Sequence, residues 1–338
     1  MTDDLQVGIA GFGLAGRVFH APLVACTDGL ALRTVMTGSE QRAAQARAAH
    51  PGVQVVDDLD ALLEGLDVLV VGTPNSSHVP IALAGLERGL AVVVDKPLAP
   101  SAGQARELLA APGRLTVFQN RRWDGDFLTV ERLVREGALG DIVRLESRFE
   151  RFNPAVEGWR ELPDPAEGGG QLLDLGAHLV DQAVRLFGPP VAVYGEVDRR
   201  RPGAQVDDDV FIALEHPGGV RSHLWMSKAA PLHGPRLRLS GLAGGFACDG
   251  LDPQEAQLDA GMRPGDAGYG EGRSGRLDDG REVPLERGRY EDFYAGVRDW
   301  ARGDAPAPVD PAESVRVLEI LEAARRSAER REVISGAW

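Results

Sequence analysis

The chain uses lysine at two positions only, Lys96 and Lys228, among its 37 lysine and arginine residues. A lysine ammonium can give up a proton and act as a compact point donor, whereas a guanidinium stays charged. Lys96 lies in the sequence Asp95-Lys96-Pro97, directly after the apolar run 90–94. If that run is a buried parallel strand, Lys96 lies at the sheet edge where open α/β sheets bind ligands. The position favours chemistry at Lys96; the alternative is a surface lysine at a strand end.

A second group of candidate catalytic residues follows the three glycines 168–170. Asp174 and His178 are four residues apart, and on a helix such neighbours face the same way. Asp181 and Arg185 continue the line, whereas the rest of the segment is nearly all apolar. A carboxylate on such a stripe can orient an imidazole for proton transfer. The alternative is an ordinary solvated face.

A glycine-rich turn near the start of the chain predicts dinucleotide binding. A predicted strand runs into Gly11-x-Gly13-x-x-Gly16 and then into a predicted helix. The first glycine permits a tight turn, the second lets the backbone approach a pyrophosphate, and the third packs the helix on the strand. The cofactor contacts predicted here are Gly11, Phe12, Gly13, Leu14, Ala15 and Gly16.

The end of the second predicted strand indicates which dinucleotide binds. A carboxylate at this point would accept a hydrogen bond from the unphosphorylated ribose of NAD, but the strand end at Met36 has none. Thr37 and Ser39 can donate to a 2′-phosphate, and Arg42 can pair with it. NADP(H) is therefore favoured over NAD(H). The alternative is that Glu40 caps the next helix and Arg42 is merely solvated.

Further contacts are expected from the loops that follow the fourth and fifth strands. Pro74 and Asn75 would lie against the cofactor at the sheet edge. His78 is either a ligand contact or a structural histidine at a helix start. The cofactor contacts predicted in these loops are Thr73, Pro74, Asn75, His78, Asp95, Lys96 and Pro97.

The segment after residue 119 combines arginine, tryptophan and carboxylates between two predicted domains. Such residues suit a polar, hydroxyl-rich substrate, and they equally suit a salt-bridge cluster between the domains. The candidate substrate residues are Asn120, Arg121, Arg122, Trp123 and, farther along the chain, Arg160.

The elements that would position these residues change in kind near residue 120. Before it, six short apolar runs alternate with helical patterns, which is typical of a doubly wound parallel sheet. The predicted strands are residues 5–10, 30–36, 53–56, 68–72, 90–94 and 115–118. After it, long strands follow one another, which predicts an α+β domain with a large, open, mainly antiparallel sheet. We therefore divide the chain into a Rossmann domain, 1–120, and a substrate-binding and oligomerisation domain, 121–338.

Within the second domain, one helix is predicted over residues 171–187 and a long surface excursion over 261–288. Apolar residues alternate along residues 191–226, and an open sheet with one uncovered apolar face is normally buried against something. We therefore expect a homodimer or homotetramer that uses this face.

Composition excludes several classes of protein. The net charge of −14 disfavours nucleic acid and anionic membranes as partners. Cys26 and Cys248 lie far apart and form no metal-binding spacing, so neither a disulfide framework nor a metal site is predicted. The start of the chain has neither the basic nor the apolar part of a signal peptide. A cytoplasmic protein with a small-molecule substrate is expected.

The chain resembles the Gfo/Idh/MocA family of NAD(P)-dependent oxidoreductases. The resemblance rests on three motifs in this order: the glycine motif, Asp95-Lys96-Pro97 and Asp174-x-x-x-His178. Segments 17–22, 120–124 and 251–255 are similar to the subgroup that includes NADP-dependent scyllo-inositol dehydrogenase. The family usually has glutamate where this chain has Asp95, which keeps the carboxylate. Lys228 matches no functional position of the family.

The resemblance implies catalytic roles for Lys96, Asp174 and His178. His178 would take the proton of a substrate hydroxyl as hydride leaves for the nicotinamide, Lys96 would bind that oxygen, and Asp174 would orient the pair. Whether Lys96 or His178 is the immediate proton acceptor stays open. The resemblance also implies that the open sheet packs against another subunit.

These features predict an NADP(H)-dependent dehydrogenase or reductase of a cyclic polyol or sugar, inositol-like, and its ketone. Two alternatives remain. The first is a dinucleotide-binding regulator or sensor without turnover, which would have no need of a proton relay. The second is a reductase of the same fold with another substrate, such as an aldose, a dihydrodiol or an imine.

Overall fold

A parallel sheet forms the first part of the protein, whose computed structural model describes residues 4–157, 161, 163–164 and 167–338. Its strands are β1 (Leu5–Ala10), β2 (Leu30–Met36), β3 (Gln54–Val56), β4 (Val68–Val71), β5 (Ala91–Asp95) and β6 (Arg114–Phe118). Among the described residues these six strands follow the order β3-β2-β1-β4-β5-β6. The order reverses between β1 and β4, which opens a crevice at the carboxyl edge of the sheet.

Uninterrupted apolar runs form the centre of this sheet because helices cover both of its faces. All of β4 is buried, as is β5 up to Val94. The helical segments are a π-helical stretch (Ala15–His20), α1 (Ala21–Ala25), α2 (Glu40–Ala49), α3 (Leu59–Leu63), α4 (His78–Glu87) and α5 (Ala102–Ala110). The predicted Rossmann sheet is confirmed.

A larger, mainly antiparallel sheet forms the second part. The helices here are α6 (Gly125–Arg135), α7 (Gln171–Asp174), α8 (Gly176–Phe187), α9 (Gln254–Asp259), α10 (Tyr290–Arg302) and α11 (Pro311–Arg330). The strands are β7 (Ile142–Glu150), β8 (Ala192–Asp198), β9 (Asp209–Glu215), β10 (Arg221–Ser227), β11 (Leu237–Gly241), β12 (Gly244–Cys248), β13 (Ser274–Leu277), β14 (Glu282–Pro284) and β15 (Ile334–Ser335).

Within the described part of the chain, these nine strands follow the order β14-β13-β12-β11-β7-β10-β9-β8-β15. Strands β7 and β10 pair in parallel, whereas their other neighbours are antiparallel. The predicted open, mainly antiparallel sheet is confirmed.

Helices cover one face of this second sheet. Side chains alternate along β9, so that Val210, Ile212 and Leu214 are buried, as expected for a strand with one face in the core. Gly195 of β8 lets α11 approach closely, because a Cβ at this position would lie 2.3 Å from the main-chain oxygen of Ala324. The apolar alternation read from the sequence therefore belongs to the helix-covered face.

The opposite face is aromatic and charged, not apolar as the sequence suggested. Phe211 packs against Trp225 with ring centroids 5.0 Å apart, and His223 lies 5.7 Å from Phe211. The Arg148 guanidinium lies 3.9 Å above the Trp225 ring, a favourable cation–π geometry. The three rings are half-buried.

Two predicted elements differ from the structure, and one helix was not predicted. The predicted helix 171–187 is two helices, α7 and α8, with a break at Leu175. The predicted surface excursion 261–288 contains β13 and β14, which extend the second sheet. Helix α10 was not predicted, although Tyr290, Phe293, Tyr294 and Val297 recur at helical spacing and are buried.

Helices α10 and α11 return to the first sheet, although the sequence analysis assigned them to the second domain. The Thr116 hydroxyl of β6 donates to the main-chain oxygen of Val309, which precedes α11, and the main-chain N–H of Ala102 donates to Glu322 of α11. The division at residue 120 stays a prediction. None of the described helices has both the length and the apolar character of a membrane-spanning segment.

Candidate active site

The glycine loop leaves room for a dinucleotide at one of its three glycines. Gly11 has φ +93°, and a Cβ there would lie 2.7 Å from the main-chain oxygen of Gly72. A Cβ on Gly16 would lie 2.1 Å from the oxygen of Gly11, so this glycine packs the helical stretch on β1. At Gly13 a Cβ would meet no atom within 4 Å. The space beside Gly13, in front of the start of a helical stretch, fits a pyrophosphate.

The other residues predicted in this loop differ in exposure. Phe12 is buried in the core and packs edge-on against His50, with ring centroids 6.4 Å apart. Leu14 is 44 % exposed and Ala15 is half-buried. Leu14 can therefore contact a bound ligand, whereas the side chain of Phe12 supports the loop from below.

The segment after β2 begins α2 and leaves one cation exposed. Ser39 caps the helix, because its hydroxyl accepts the main-chain N–H of Arg42 at 3.4 Å. The suggestion that Glu40 is the cap is therefore wrong. The Thr37 hydroxyl accepts the N–H of Ser39 at 3.3 Å. The Arg42 side chain is exposed and forms no ion pair with a described residue.

The loop after β4 fastens the first sheet to the segment that precedes α7. The Asn75 amide donates to the main-chain oxygen of Glu167 at 2.8 Å, and the Ser76 hydroxyl donates to the Glu167 carboxylate at 2.7 Å. The Thr73 hydroxyl accepts from Ser77 at 2.8 Å. This loop thus contacts both sides of the crevice, with Pro74 exposed between them.

His78 ties two loops of the crevice together. Its Nδ1 lies 2.9 Å from the main-chain oxygen of Pro97, and its Nε2 lies 3.0 Å from that of Thr73. Burial lowers the pKa of His78, although Asp95 and both carbonyls act in the opposite direction. The ring therefore has the structural role that the sequence analysis held open. Its contact with a cofactor stays a prediction.

Lys96 and Asp174 meet across the crevice. The Lys96 Nζ donates to the Asp174 carboxylate at 2.8 Å and to the main-chain oxygen of Asp174 at 2.9 Å. Their side chains are 16 % and 13 % exposed. Lys96 directly follows β5 and Asp174 ends α7, so this contact joins the first sheet to the helical segment of the second part. The low local dielectric strengthens the attraction within an ion pair that is so little exposed to solvent.

His178 follows Asp174 in the first turn of α8 and is buried. The break at Leu175 preserves helical geometry: Leu175 has φ −102° and ψ −32°, and its oxygen accepts the N–H of His178 at 3.1 Å. Asp174 and His178 therefore keep the spacing of one helical turn. The roles of the two residues in catalysis stay a prediction.

Asp207, which the sequence analysis missed, caps α7. Its main-chain oxygen accepts the N–H of Gln171 at 3.0 Å, and its carboxylate accepts the N–H of Leu172 at 2.7 Å. Gly170, at φ +95°, admits the cap, because a Cβ there would lie 2.5 Å from Asp207 Oδ1. The sequence did carry a signal for this role, because three consecutive aspartates, 207–209, do not fit inside a buried strand.

The linker arginines form buried ion pairs. Arg122 binds both Asp181 oxygens, at 2.8 and 2.5 Å, and also contacts Glu313 at 2.7 Å. Arg121 contacts Asp124 at 3.2 Å and Glu255 at 3.1 Å. Burial lowers the pKa of each guanidinium, but the carboxylates outweigh it and raise the pKa. Removing one partner of such a pair typically costs ~3–5 kcal/mol.

The structure thus gives the linker the salt-bridge role that the sequence analysis held as one of two possibilities. Asn120 is buried, and Trp123 packs edge-on against Phe293 at 5.5 Å between ring centroids. Arg160 lies outside the described residues. Substrate contact by these five residues stays a prediction.

Lys228, the second lysine, belongs to a buried charge cluster. Its ammonium donates to Glu161 at 2.5 Å, and Arg201 donates to both oxygens of Glu161, at 2.8 and 2.9 Å. Arg201 also contacts Asp208 at 2.9 Å. Burial raises the pKa of Glu161, but the hydrogen bonds from Lys228 and Arg201 lower it more, so the pKa lies below its usual range. Two cations and two carboxylates therefore balance one another away from Lys96.

Comparisons with known proteins agree with this architecture. Residues 5–117 match the oxidoreductase family described by its NAD-binding Rossmann fold, and residues 127–247 match the GFO/IDH/MocA C-terminal domain. The chain is 40 % identical to the uncharacterised oxidoreductase YdgJ of Escherichia coli, over 98 % of both chains. It is 33 % identical to the scyllo-inositol 2-dehydrogenase (NADP(+)) IolW of Bacillus subtilis, over 98 % of this chain and 96 % of IolW.

The solved structure of the Bacillus subtilis oxidoreductase yvaA superposes with a TM-score of 0.93 at 32 % sequence identity. The superposition covers 100 % of this chain and 99 % of that one. The likeness therefore extends over both sheets and the crevice between them.

The glycine loop allows folding and cofactor binding to be separated. Gly13→Ala should fold normally, because the added Cβ meets open space, but should weaken dinucleotide binding about tenfold or more by occupying the pyrophosphate position. Gly16→Ala should instead lose about 1–3 kcal/mol of stability or more, since its Cβ would overlap the Gly11 carbonyl. Urea unfolding and fluorescence titration with NADH and NADPH measure the two effects. Normal affinity of Gly13→Ala for both dinucleotides would contradict this assignment.

Proposed function

The chain belongs to the Gfo/Idh/MocA family of NAD(P)-dependent oxidoreductases, and on this premise we propose that it is an NADP(H)-dependent dehydrogenase of a cyclic polyol or sugar. The reaction would transfer hydride between the nicotinamide and a secondary alcohol or its ketone. The observation that carries the proposal is the Lys96–Asp174 contact at the carboxyl edge of the first sheet, the edge that also carries the glycine loop. The name of the relative IolW, a dehydrogenase of an inositol, supports the substrate class.

The residues at the crevice divide the work of such a reaction. An ammonium has three protons to donate, and Lys96 gives two hydrogen bonds to Asp174. One donor is left to bind the substrate oxygen. Asp174 holds the ammonium in place, and the imidazole of His178 takes the hydroxyl proton during oxidation and returns it during reduction. Bound NADP(H) would supply the hydride acceptor or donor.

A non-catalytic sensor is the less favoured alternative. A sensor needs the glycine loop but has no use for an ammonium held by a carboxylate beside a buried histidine. A panel of polyols, aldoses, dihydrodiols and imines, assayed in both directions by NADPH absorbance, distinguishes the substrate classes. Turnover of none of them, with intact NADPH binding, would favour the sensor.

The test of the catalytic assignment is Lys96→Arg. Arginine keeps the charge but differs in geometry and proton affinity, so kcat should fall by ~10²–10⁴. His178→Ala should lose a comparable factor. NADPH affinity and the urea unfolding midpoint serve as controls and should stay close to those of the wild type. Near-normal turnover of Lys96→Arg would remove Lys96 from the mechanism.

The preference for NADP(H) is supported by the strand end at Met36, which lacks a carboxylate, and by the exposed Arg42. Arg42→Ala should weaken NADPH about tenfold, the value of one charge-assisted hydrogen bond, and leave NADH unchanged. Arg47→Ala is the matched control, because Arg47 is exposed at the other end of α2. Tighter binding of NADH than of NADPH by the wild type would contradict the preference.

We also propose a homodimer or homotetramer that buries the aromatic face of the second sheet. Half-exposed rings such as Phe211 and Trp225 form a patch that association would remove from water. Light scattering at micromolar concentration should show the oligomer, and Phe211→Glu should yield monomers. Leu242→Glu, in the turn between β11 and β12, is the control. A wild-type monomer would refute the proposal.

A further inference from the structure

A chain of polar side chains begins at Asp95, the residue before Lys96. Asp95 ends β5, and its carboxylate accepts the main-chain N–H of Lys96 at 2.7 Å. The other carboxylate oxygen of Asp95 lies 3.7 Å from Nε2 of the fully buried His20. His20 Nδ1 in turn lies 2.7 Å from the hydroxyl of Tyr294, on α10. None of these side chains belongs to the residues assigned to catalysis above.

Two kinds of contact make up this chain. The His20 ring and the Asp95 carboxylate are in electrostatic contact at 3.7 Å, a distance too long for a hydrogen bond. The Tyr294 hydroxyl, with its proton, shares a hydrogen bond with His20 Nδ1. Burial and the nearby Asp95 raise the pKa of Tyr294 well above its usual value, so the hydroxyl keeps that proton. Burial raises the pKa of Asp95, but His20 and Lys96 more than compensate and hold it below its usual range.

The Asp95 carboxylate thus lies between the main-chain N–H of Lys96 and the buried His20 ring, at the residue where β5 ends. After the lysine, His78 Nδ1 lies 2.9 Å from the main-chain oxygen of Pro97. The backbone around Lys96 is therefore held before and after the lysine. Both anchors depend on buried histidines, whose rings lack the flexibility of longer side chains.

We infer that His20 and Tyr294 are positioning residues for Lys96: through Asp95 they fix the backbone from which the ammonium reaches Asp174. The inference rests on the proposed function for its kinetic consequence, because a displaced ammonium would no longer meet the substrate oxygen. Residues that orient metal ligands typically contribute about 10–100-fold to activity, and we expect residues that position a catalytic lysine to act on the same scale.

The decisive variant is the double substitution His20→Leu/Tyr294→Phe. Replacing both partners of a buried hydrogen bond with apolar groups of similar shape is nearly neutral for stability, so the protein should unfold at a urea midpoint close to that of the wild type. The single variant His20→Gln should retain much of the wild-type activity, because it keeps a polar amide facing Asp95. The matched control is Tyr290→Phe on the same helix, whose hydroxyl donates to Asp124 at 2.7 Å, away from Lys96.

The expected kinetic result is a fall in kcat of about 10–100-fold in the double variant, with NADPH affinity unchanged within about twofold. His20→Gln should lie nearer the wild type, and Tyr290→Phe should keep its kcat. Wild-type kcat in a folded double variant, or an equal loss in Tyr290→Phe, would overturn the inference.

A second readout does not require turnover. The chain has two lysines, so acetylation by a water-soluble N-hydroxysuccinimide ester, followed by mass spectrometry, reports on Lys96 with the buried Lys228 as internal reference. In the double variant the Lys96 rate should rise severalfold while the Lys228 rate is unchanged. An unchanged Lys96 rate would overturn the inference. If the wild type turned over no polyol but the Lys96 rate still rose, the positioning role would hold and the proposed function alone would fail.

Discussion

The contact between Lys96 and Asp174 is the constraint on which the crevice depends. An ammonium and a carboxylate 2.8 Å apart require the end of β5 and the end of α7 to meet with little tolerance, because charge-assisted hydrogen bonds are short and directional. Other contacts serve the same alignment. Asn75 fastens the loop after β4 to the segment before α7, and Asp207, just before β9, holds the start of α7. The crevice is thus fixed from both parts of the chain.

In the buried ion pairs elsewhere in the protein, each cation binds its carboxylate in the way that the shape of its side chain allows. Arg122 meets both oxygens of Asp181, a pairing that suits the planar guanidinium fork. Lys228 makes one short contact with Glu161, which a point donor can provide beside the two bonds from Arg201. Because an isolated buried charge is costly, each cation is matched by carboxylates. These clusters stabilise particular arrangements of the segments and contribute less to overall stability than their number suggests.

The two faces of the second sheet differ in their chemistry. The helix-covered face carries aliphatic side chains that interlock with α11, and Gly195 makes room for its backbone. The other face carries Phe211, His223 and Trp225, with Arg148 above an indole. Aromatic rings with a polar edge tolerate both water and a protein partner, which is compatible with the proposed association through this face. Alternation along a strand predicts that two faces differ, but not which one the helices will take.

The sequence by itself determined the first sheet, the glycine loop and the spacing of Asp174 and His178, because buried parallel strands are continuous apolar runs and these motifs are local. It also indicated Lys96 as exceptional. The helix cap from Asp207 and the ion pair of Arg122 with Asp181 were not predicted. Helix α10 was not predicted either, although its apolar residues recur at helical spacing. Only the tertiary structure joined His20 to Tyr294, 274 positions later. Contacts of this kind depend on how whole elements pack. Neither the periodicity nor the residue spacing of one segment specifies which distant side chain will contact it.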